Sequence, residues 1–265
     1  MTSETRPIVI KAEGVTKRFG ALVAVDHVDY TLHRNEIACI IGSNGAGKTT
    51  FFNLLTGYFR PDAGRIFHEG EDITRMSAQQ RVARGLMRTF QLTSTFDNLS
   101  VVDNLVLAYF RAYRSSSLVQ SLVNLRGRHR QHERIVAALE RFQLQHVRQR
   151  PVIHLGLGEK RRLEIAMAVL VEPRVLLLDE PLAGLAETEI ARLLEVLRLH
   201  AGEQTIVIVE HKISHVKELA ERLTVMHEGK IIAEGGYEEC LQHPEVRRSY
   251  WHIDVSATGS AHGPR

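Results

Sequence analysis

Residues 42–49 read Gly42-Ser43-Asn44-Gly45-Ala46-Gly47-Lys48-Thr49, which matches G-x-x-x-x-G-K-[ST], the pattern of a phosphate-binding P-loop. The apolar run Ile37–Ile41 before it predicts a buried strand, and Thr50–Leu55 after it has the apolar spacing of a helix. These flanks disfavour the alternative, a glycine-rich turn that binds nothing. Glycines let the backbone curl so that N–H groups point inward at an anion, and the helix start adds its positive dipole end.

Residues 42–50 are therefore predicted to bind the phosphates of a nucleotide. In this motif the lysine, here Lys48, reaches the β- and γ-phosphates, and the hydroxyl of Thr49 binds Mg²⁺. Thr50 follows as the next residue of the predicted helix.

A second polar cluster follows the predicted buried strand Val175–Leu178, which ends in Asp179 and Glu180. In open parallel sheets, ligands bind beyond the carboxyl ends of the strands. An aspartate there can hold Mg²⁺, usually through water, and the next glutamate can orient or deprotonate an attacking water. A charged turn is the alternative, and the P-loop upstream disfavours it. The run Thr205–Val209 repeats this layout and leads to His211, which taken alone is more often a structural histidine.

Three further positions are ambiguous on their own residues. Phe19 is interpreted equally well as an aromatic that stacks on a base or as a core or turn residue. Gln91 is a lone polar residue after an apolar run, and one interpretation is a solvated loop glutamine without a functional role. The glycines of 155–158 precede a predicted helix over 159–171, where they mark either a second anion site or the helix start.

The remaining pattern is that of an ordinary globular chain of 265 residues with a net charge of +3. Short strands are predicted at 8–12 and 24–32, a strand at 64–67, a helix over 75–87, a helical stretch over 101–150, and a closing hairpin around Glu228-Gly229. The two cysteines, Cys39 and Cys240, are predicted to be buried as small apolar residues.

Composition also bears on partners and compartment. The N-terminus has no apolar h-region and no run approaches about 18 apolar residues, so we expect neither a secretory signal nor a membrane span, and a cytosolic chain. One interpretation of the basic stretch 126–134 is that it binds nucleic acid. A solvated helix face is favoured because aromatic residues are not interleaved and acidic residues follow.

In this order, the segments closely resemble the ATP-binding subunit of an ABC transporter, from about Ile8 to Trp251. The resemblance implies an α/β fold: a P-loop NTPase (RecA-like) core with a small antiparallel β subdomain and an inserted α-helical subdomain. It also implies ATP and Mg²⁺ as cofactors. The predicted organisation is one ABC ATPase domain over 8–253, with its core at 8–90 and 160–240 and its helical subdomain at 91–159, followed by a disordered tail over 254–265.

The resemblance also assigns roles to single residues. Phe19 corresponds to the aromatic that stacks on adenine, Asp179 to the Mg²⁺ aspartate and Glu180 to the catalytic glutamate. His211 corresponds to the switch histidine at the γ-phosphate, and Gln91 to the glutamine that senses Mg²⁺ and the membrane subunit. The implied catalytic residues are Glu180, His211 and Gln91, and the implied metal ligands are Thr49, Gln91 and Asp179.

Residues 155–159 resemble the family's signature loop, so Gly156, Gly158 and Glu159 are implied to contact ATP held by a second subunit. This loop departs from the usual pattern because Gly156 and Leu157 stand where a serine and a glycine are usual. Ala186 likewise stands where the family usually has Asp or Asn. Both departures affect the half of the site that this chain offers to a partner, and neither touches its own P-loop.

Within the family, the chain looks like the ATP-binding subunits of branched-chain amino acid importers. The stretches that carry this narrower resemblance are Gly85–Gln91, Arg161–Ala166, Ala183–Leu185, Ile232–Gly235 and Pro244–Val246. It implies transmembrane permease subunits, a second ATP-binding subunit and, indirectly, a solute-binding protein as partners, at the inner face of the cell membrane. No nucleic acid is expected. The alternatives are a soluble ABC-type ATPase not tied to transport and a weakly hydrolysing regulatory subunit.

Overall fold

The computed structural model describes residues 6–89, 95–113, 125–211 and 213–251. Its strands are, in chain order, β1 (Ile8–Phe19), β2 (Leu22–His33), β3 (Ile37–Gly42), β4 (Ala63–His68), β5 (Glu71–Asp72), β6 (Leu86–Arg88), β7 (Val175–Asp179), β8 (Thr205–Glu210), β9 (Arg222–His227) and β10 (Lys230–Gly235). Its helices are α1 (Lys48–Thr56), α2 (Ala78–Ala83), α3 (Val101–Tyr113), α4 (Leu125–Arg141), α5 (Leu157–Val169), α6 (Glu187–Arg198), α7 (Ile213–Val216), α8 (Tyr237–Gln242) and α9 (Pro244–Trp251). Short 3₁₀ turns occupy Gln145–Val147 and Val152–His154.

Within these residues the strands form two sheets. The larger has the order β10-β9-β3-β8-β7-β6, and all of its neighbouring strands run parallel except β10, which is antiparallel to β9. The smaller sheet is antiparallel, in the order β2-β1-β4-β5. A parallel sheet flanked by helices and joined to an antiparallel sheet confirms the predicted α/β class with a P-loop NTPase core.

The central strands are apolar throughout because both of their faces are covered. Along β3, the side chains of Ile37, Cys39 and Ile41 enter one buried cluster, which includes α3, α4, α5 and α6. The alternate residues Ala38 and Ile40 enter a second cluster, which includes α1 and the antiparallel sheet. The carboxyl ends of β3, β7 and β8 therefore lie side by side between two packed layers.

Three predicted segments require correction. Strands β1 and β2 are 12 residues each, longer than the predicted stretches, so Phe19 ends a strand rather than lying between two strands. Register shifts at several points interrupt the alternation on which the shorter prediction rested. The helix predicted over 75–87 is only α2, because Gly85 turns with φ of 88° and Leu86–Arg88 pair with β7.

The other segments follow the sequence more closely. Helix α5 begins at Leu157 and ends at Val169, two residues earlier at each end than predicted. The hairpin around Glu228-Gly229 is confirmed, with φ of 46° and 79° at its two turn residues. Cys39 and Cys240 are buried and free, as predicted. The tail over 254–265 lies outside the described residues, and among the described helices none is long and apolar enough to cross a bilayer.

Candidate active site

The P-loop curls between β3 and α1, as its glycines predict. Gly45 and Gly47 have φ of 82° and 97°, in the left-handed region that favours glycine. A Cβ at Gly47 would lie 2.3 Å from the carbonyl oxygen of Ala24, so the close approach of β2 excludes a larger residue. On the other side, the backbone N–H of Gly229 donates to the carbonyl of Ala46 at 3.0 Å. The loop is thus fixed by the protein's own backbone.

The Lys48 side chain closes this loop from inside. Its ammonium donates to the carbonyl oxygens of Gly42 at 2.6 Å and of Ser43 at 3.0 Å. Burial lowers the pKa of Lys48, while the nearby carboxylates, Glu180 and Asp179 foremost, act in the opposite direction. The structure therefore brings the predicted phosphate-binding cation and the predicted acidic residues to one place.

Asp179 ends β7 with a buried carboxylate, whose side chain is 1% exposed. Its Oδ2 accepts a hydrogen bond from Arg88 Nη2 at 2.5 Å. Within the described residues its Oδ1 is buried and accepts no hydrogen bond. A buried carboxylate oxygen left available is what a Mg²⁺ ion with its water shell needs.

The rest of the donor set also fits Mg²⁺. Thr49, the second residue of α1, is exposed at the P-loop. The described residues contain no cage of three or more His, Cys, Asp or Glu side chains. Mg²⁺ is usually held by one or two protein ligands together with substrate phosphates and water, so such a cage is not required.

Glu180 and His211 follow adjacent parallel strands and meet at the same sheet edge. His211 Nδ1 lies 3.6 Å from Glu180 Oε1, and both side chains are partly exposed. Glu180 has φ of 46°, which is uncommon for a residue with a Cβ and is often found at functional sites. Its backbone N–H donates to the carbonyl of Val209 at 2.9 Å, which fixes this turn to β8. A partly exposed carboxylate beside an imidazole is suited to hold and orient a water molecule.

Glu210 is a residue whose role the sequence did not reveal. It is almost fully buried, and its Oε1 accepts a hydrogen bond from the backbone N–H of Leu182 at 2.9 Å. Burial raises the pKa of this carboxyl group. Glu210 therefore holds the loop that follows Glu180. The available signal was a charged residue at the end of an otherwise apolar strand.

At the start of α5, two carboxylates of the same chain accept hydrogen bonds from backbone N–H groups. Glu159 Oε2 accepts from Gly156 N at 3.0 Å, and its Oε1 lies 3.0 Å from His146 Nε2. Glu189 Oε1 accepts from Gly158 N at 3.2 Å. The N–H groups predicted to face a partner's ATP thus already have internal acceptors in this structure.

Two predicted site residues remain. Phe19 is 43% exposed and packs edge-to-face on Phe59, with ring centroids 5.4 Å apart. Its hairpin also carries Ala24, the residue that touches Gly47, so the ring belongs to the strand pair that borders the P-loop. Gln91 lies outside the described residues.

Comparison with known proteins agrees with this geometry. A family model described as ABC transporter matches residues 25–183. The chain belongs to the ABC transporter family. Within that family it is an ATP-binding cassette of the ATPase class, and the fold and P-loop described above are those of such cassettes.

Individual relatives cover nearly the whole chain. The high-affinity branched-chain amino acid transport ATP-binding protein LivG of Escherichia coli K12 is 36% identical over 248 residues, 91% of this chain and 97% of that protein. A probable LivG of Methanocaldococcus jannaschii is 32% identical over 91% of this chain and 96% of that protein. Among solved structures, the ADP conformation of the cassette MJ1267 has a TM-score of 0.78 and 30% identity, and covers 93% of this chain and 100% of that chain.

Proposed function

We propose that this chain is the ATP-binding and hydrolysing subunit of an import complex for branched-chain or other amino acids. The observation that carries the proposal is the convergence of Lys48, Asp179, Glu180 and His211 on the P-loop, in a chain matched over nine-tenths of its length by branched-chain amino acid transport subunits. Its partners are transmembrane permeases, a second ATP-binding subunit and, indirectly, a solute-binding protein. Its place is the cytoplasmic face of the membrane.

In the proposed reaction, the P-loop N–H groups and Lys48 hold the phosphates of ATP. Lys48 exchanges its two carbonyl contacts for phosphate oxygens, and charge-assisted contacts of this kind are the stronger ones. Thr49 and Asp179 hold Mg²⁺, which when bound neutralises charge on the β- and γ-phosphates. Glu180 accepts a proton from the attacking water. Phe19 stacks on the adenine, His211 contacts the γ-phosphate, and Gln91 senses Mg²⁺ and the membrane subunit.

The weakly hydrolysing regulatory subunit remains a second candidate because one observation favours it. The N–H groups of Gly156 and Gly158 are occupied by Glu159 and Glu189, two negative charges where a partner's ATP would approach. This affects the site built from the partner's P-loop, while the chain's own P-loop site is unaltered.

The test is reconstitution with cognate permeases and the second ATP-binding subunit in vesicles, measuring leucine uptake and ATP hydrolysis together. Glu180→Gln is expected to keep ATP binding and to slow turnover by about two to four orders of magnitude, the range of a general base. Lys48→Ala is expected to lose ATP binding. Glu195→Gln, at an exposed glutamate on α6, is the matched control. Rapid turnover of Glu180→Gln, or ATP-independent uptake, would contradict the proposal.

A further inference from the structure

Arg88, which the sequence did not single out, reaches the predicted Mg²⁺ aspartate from the edge strand β6. Its side chain is 10% exposed, and its Nη2 donates to Asp179 Oδ2 at 2.5 Å. Its Nη1 donates to the side-chain oxygen of Asn53, on the P-loop helix α1, also at 2.5 Å. One guanidinium therefore joins the end of β7 to the helix that carries Thr49.

Two aromatic rings also lie against this guanidinium. Its central carbon lies 5.3 Å from the centroid of the Phe52 ring and 5.5 Å from that of Tyr58. Stacking on rings and forked donation to two oxygens are properties of arginine that lysine does not share. Asn53, Phe52 and Tyr58 thus hold the Arg88 side chain in addition to Asp179.

The contact divides the Asp179 carboxylate into two unlike oxygens. Oδ2 is taken by Arg88, while Oδ1 is buried and accepts no hydrogen bond within the described residues. A buried carboxylate needs a compensating cation, and a guanidinium on one oxygen also fixes the rotation of the group. Arg88 therefore leaves a single oxygen available, in a fixed orientation.

We propose that Arg88 is the positioning residue that holds the Asp179 carboxylate ready for Mg²⁺ and so sets the Mg²⁺ concentration needed for nucleotide binding. The proposal rests on the proposed role of Asp179. Two effects oppose each other here, because Arg88 orients the carboxylate but also repels a cation. Orientation prevails, since the guanidinium is anchored to Asn53 and the two rings and uses Oδ2 only.

The experiment measures binding of the non-hydrolysable fluorescent analogue mant-AMPPNP to the full chain, in EDTA and across a Mg²⁺ titration. Arg88→Gln removes the positive charge. Arg88→Lys keeps the charge but cannot donate to two oxygens in the forked geometry of a guanidinium. The lysine variant still supplies a counter-ion for Asp179, so it serves if Arg88→Gln fails to fold. The expected result for Arg88→Lys is a Mg²⁺ midpoint raised about tenfold, the lower end of the usual loss for outer contacts of metal ligands. In EDTA, the affinity of Arg88→Lys for mant-AMPPNP is expected to stay within about twofold of the wild-type value, since the P-loop is untouched.

Arg84→Gln is the matched control. Arg84 also pairs with a carboxylate, that of Glu71 at 2.8 Å, but on the exposed surface of the antiparallel sheet. An Arg88→Lys midpoint equal to that of wild type would overturn the proposal, because a merely structural pair affects thermal stability and not the Mg²⁺ midpoint. A lowered midpoint would also overturn it and would make Arg88 a competitor of the cation. If nucleotide binding by wild type were independent of Mg²⁺, the Mg²⁺ assignment of Asp179 and Thr49 would itself be wrong.

Discussion

Glu189 Oε1 accepts a hydrogen bond from the backbone N–H of Gly158 at 3.2 Å, so a side chain of α6 caps the first turn of α5. The other oxygen, Oε2, accepts from Ala186 N at 3.3 Å, at the start of α6 itself. A Cβ at Gly158 would lie 2.5 Å from Glu189 Oε1, so the position of this carboxylate explains why residue 158 is a glycine. A single side chain therefore joins the signature loop to the loop that follows Glu180.

The first prediction concerns this link. Glu189→Ala leaves the N–H groups of Gly158 and Ala186 without their acceptor and is expected to lower the free energy of unfolding by about 1–2 kcal/mol, the usual cost of a lost helix cap. Urea unfolding followed by circular dichroism measures it. Glu195→Ala, at an exposed position of the same helix, is the control and should change stability by less than about 0.5 kcal/mol. Equal losses in the two variants would mean that the cap contributes nothing.

The second prediction concerns the far end of the P-loop helix. Arg81 is buried, and its guanidinium donates to the carbonyl oxygens of Leu54 at 2.6 Å, Leu55 at 2.7 Å and Ile73 at 2.8 Å. Burial lowers the pKa of Arg81 to about 10, so the group is still charged at neutral pH. Arg81→Met fills similar volume but removes every donor, and we expect a loss of about 2–4 kcal/mol because buried carbonyls lose their partners.

The matched substitution Arg84→Met tests whether the loss of stability in Arg81→Met arises because Arg81 is buried. Arg84 has an exposed ion pair with Glu71, and such pairs contribute about 0–1 kcal/mol. The unfolding midpoint of each variant in urea, at one pH and salt concentration, gives the comparison. An Arg81→Met protein as stable as the Arg84→Met protein would show that the carbonyls of α1 find other donors.

These contacts also mark the limit of what the sequence reveals. The P-loop and the acidic end of β7 are predictable because each is a local pattern whose chemistry follows from consecutive residues. Arg88 and Asp179 are 91 positions apart, and Gly158 and Glu189 are 31 apart, so only the folded topology brings them together. The helix predicted over 75–87 extends too far for a related reason: α2 covers only Ala78–Ala83, and strand pairing with β7 overrides the local preference of Leu86–Arg88.

The third prediction is a pH dependence of stability that arises from His68. This histidine is buried in the antiparallel sheet, its Nε2 has no hydrogen-bond partner within the described residues, and burial lowers its pKa from the ordinary 6.5. Below that value the unfolded chain binds a proton that the folded chain does not. The contribution of neutral His68 to the free energy of unfolding is therefore present above pH 6.5. It is lost as the pH falls toward the lowered pKa of the folded state.

Unfolding free energies at pH 7.5 and 5.5 measure this effect. Wild type is expected to lose stability on acidification, with at most about 1.4 kcal/mol attributable to this histidine. His68→Gln should show a correspondingly smaller loss over the same interval, whereas His154→Gln, at an exposed histidine, is the control. If the two variants and wild type have the same difference between the two pH values, His68 is not the group responsible.

The last prediction concerns Gly156, which stands where a serine is usual in the family. Gly156 caps α5 with φ of −67°, an ordinary value for any residue, and a Cβ there would be no nearer than 3.8 Å to Glu159 Oε2. A serine therefore fits without strain. Its hydroxyl would supply the donor that the loop lacks, and hydrogen bonds to charged groups are worth about 1.5–3 kcal/mol.

Gly156→Ser is expected to raise ATP turnover of the assembled complex by about ten- to a hundredfold if that bond forms mainly in the transition state, since each 1.36 kcal/mol is a factor of ten. Gly236 offers a matched control, because it caps α8 with φ of −65° and its N–H is likewise bonded to a glutamate three residues on, Glu239. Gly236→Ser should give any general benefit of a serine cap without the turnover gain. Steady-state ATP hydrolysis by the two complexes decides between them. An unchanged rate for Gly156→Ser would mean that the missing hydroxyl has no consequence for the partner's ATP site.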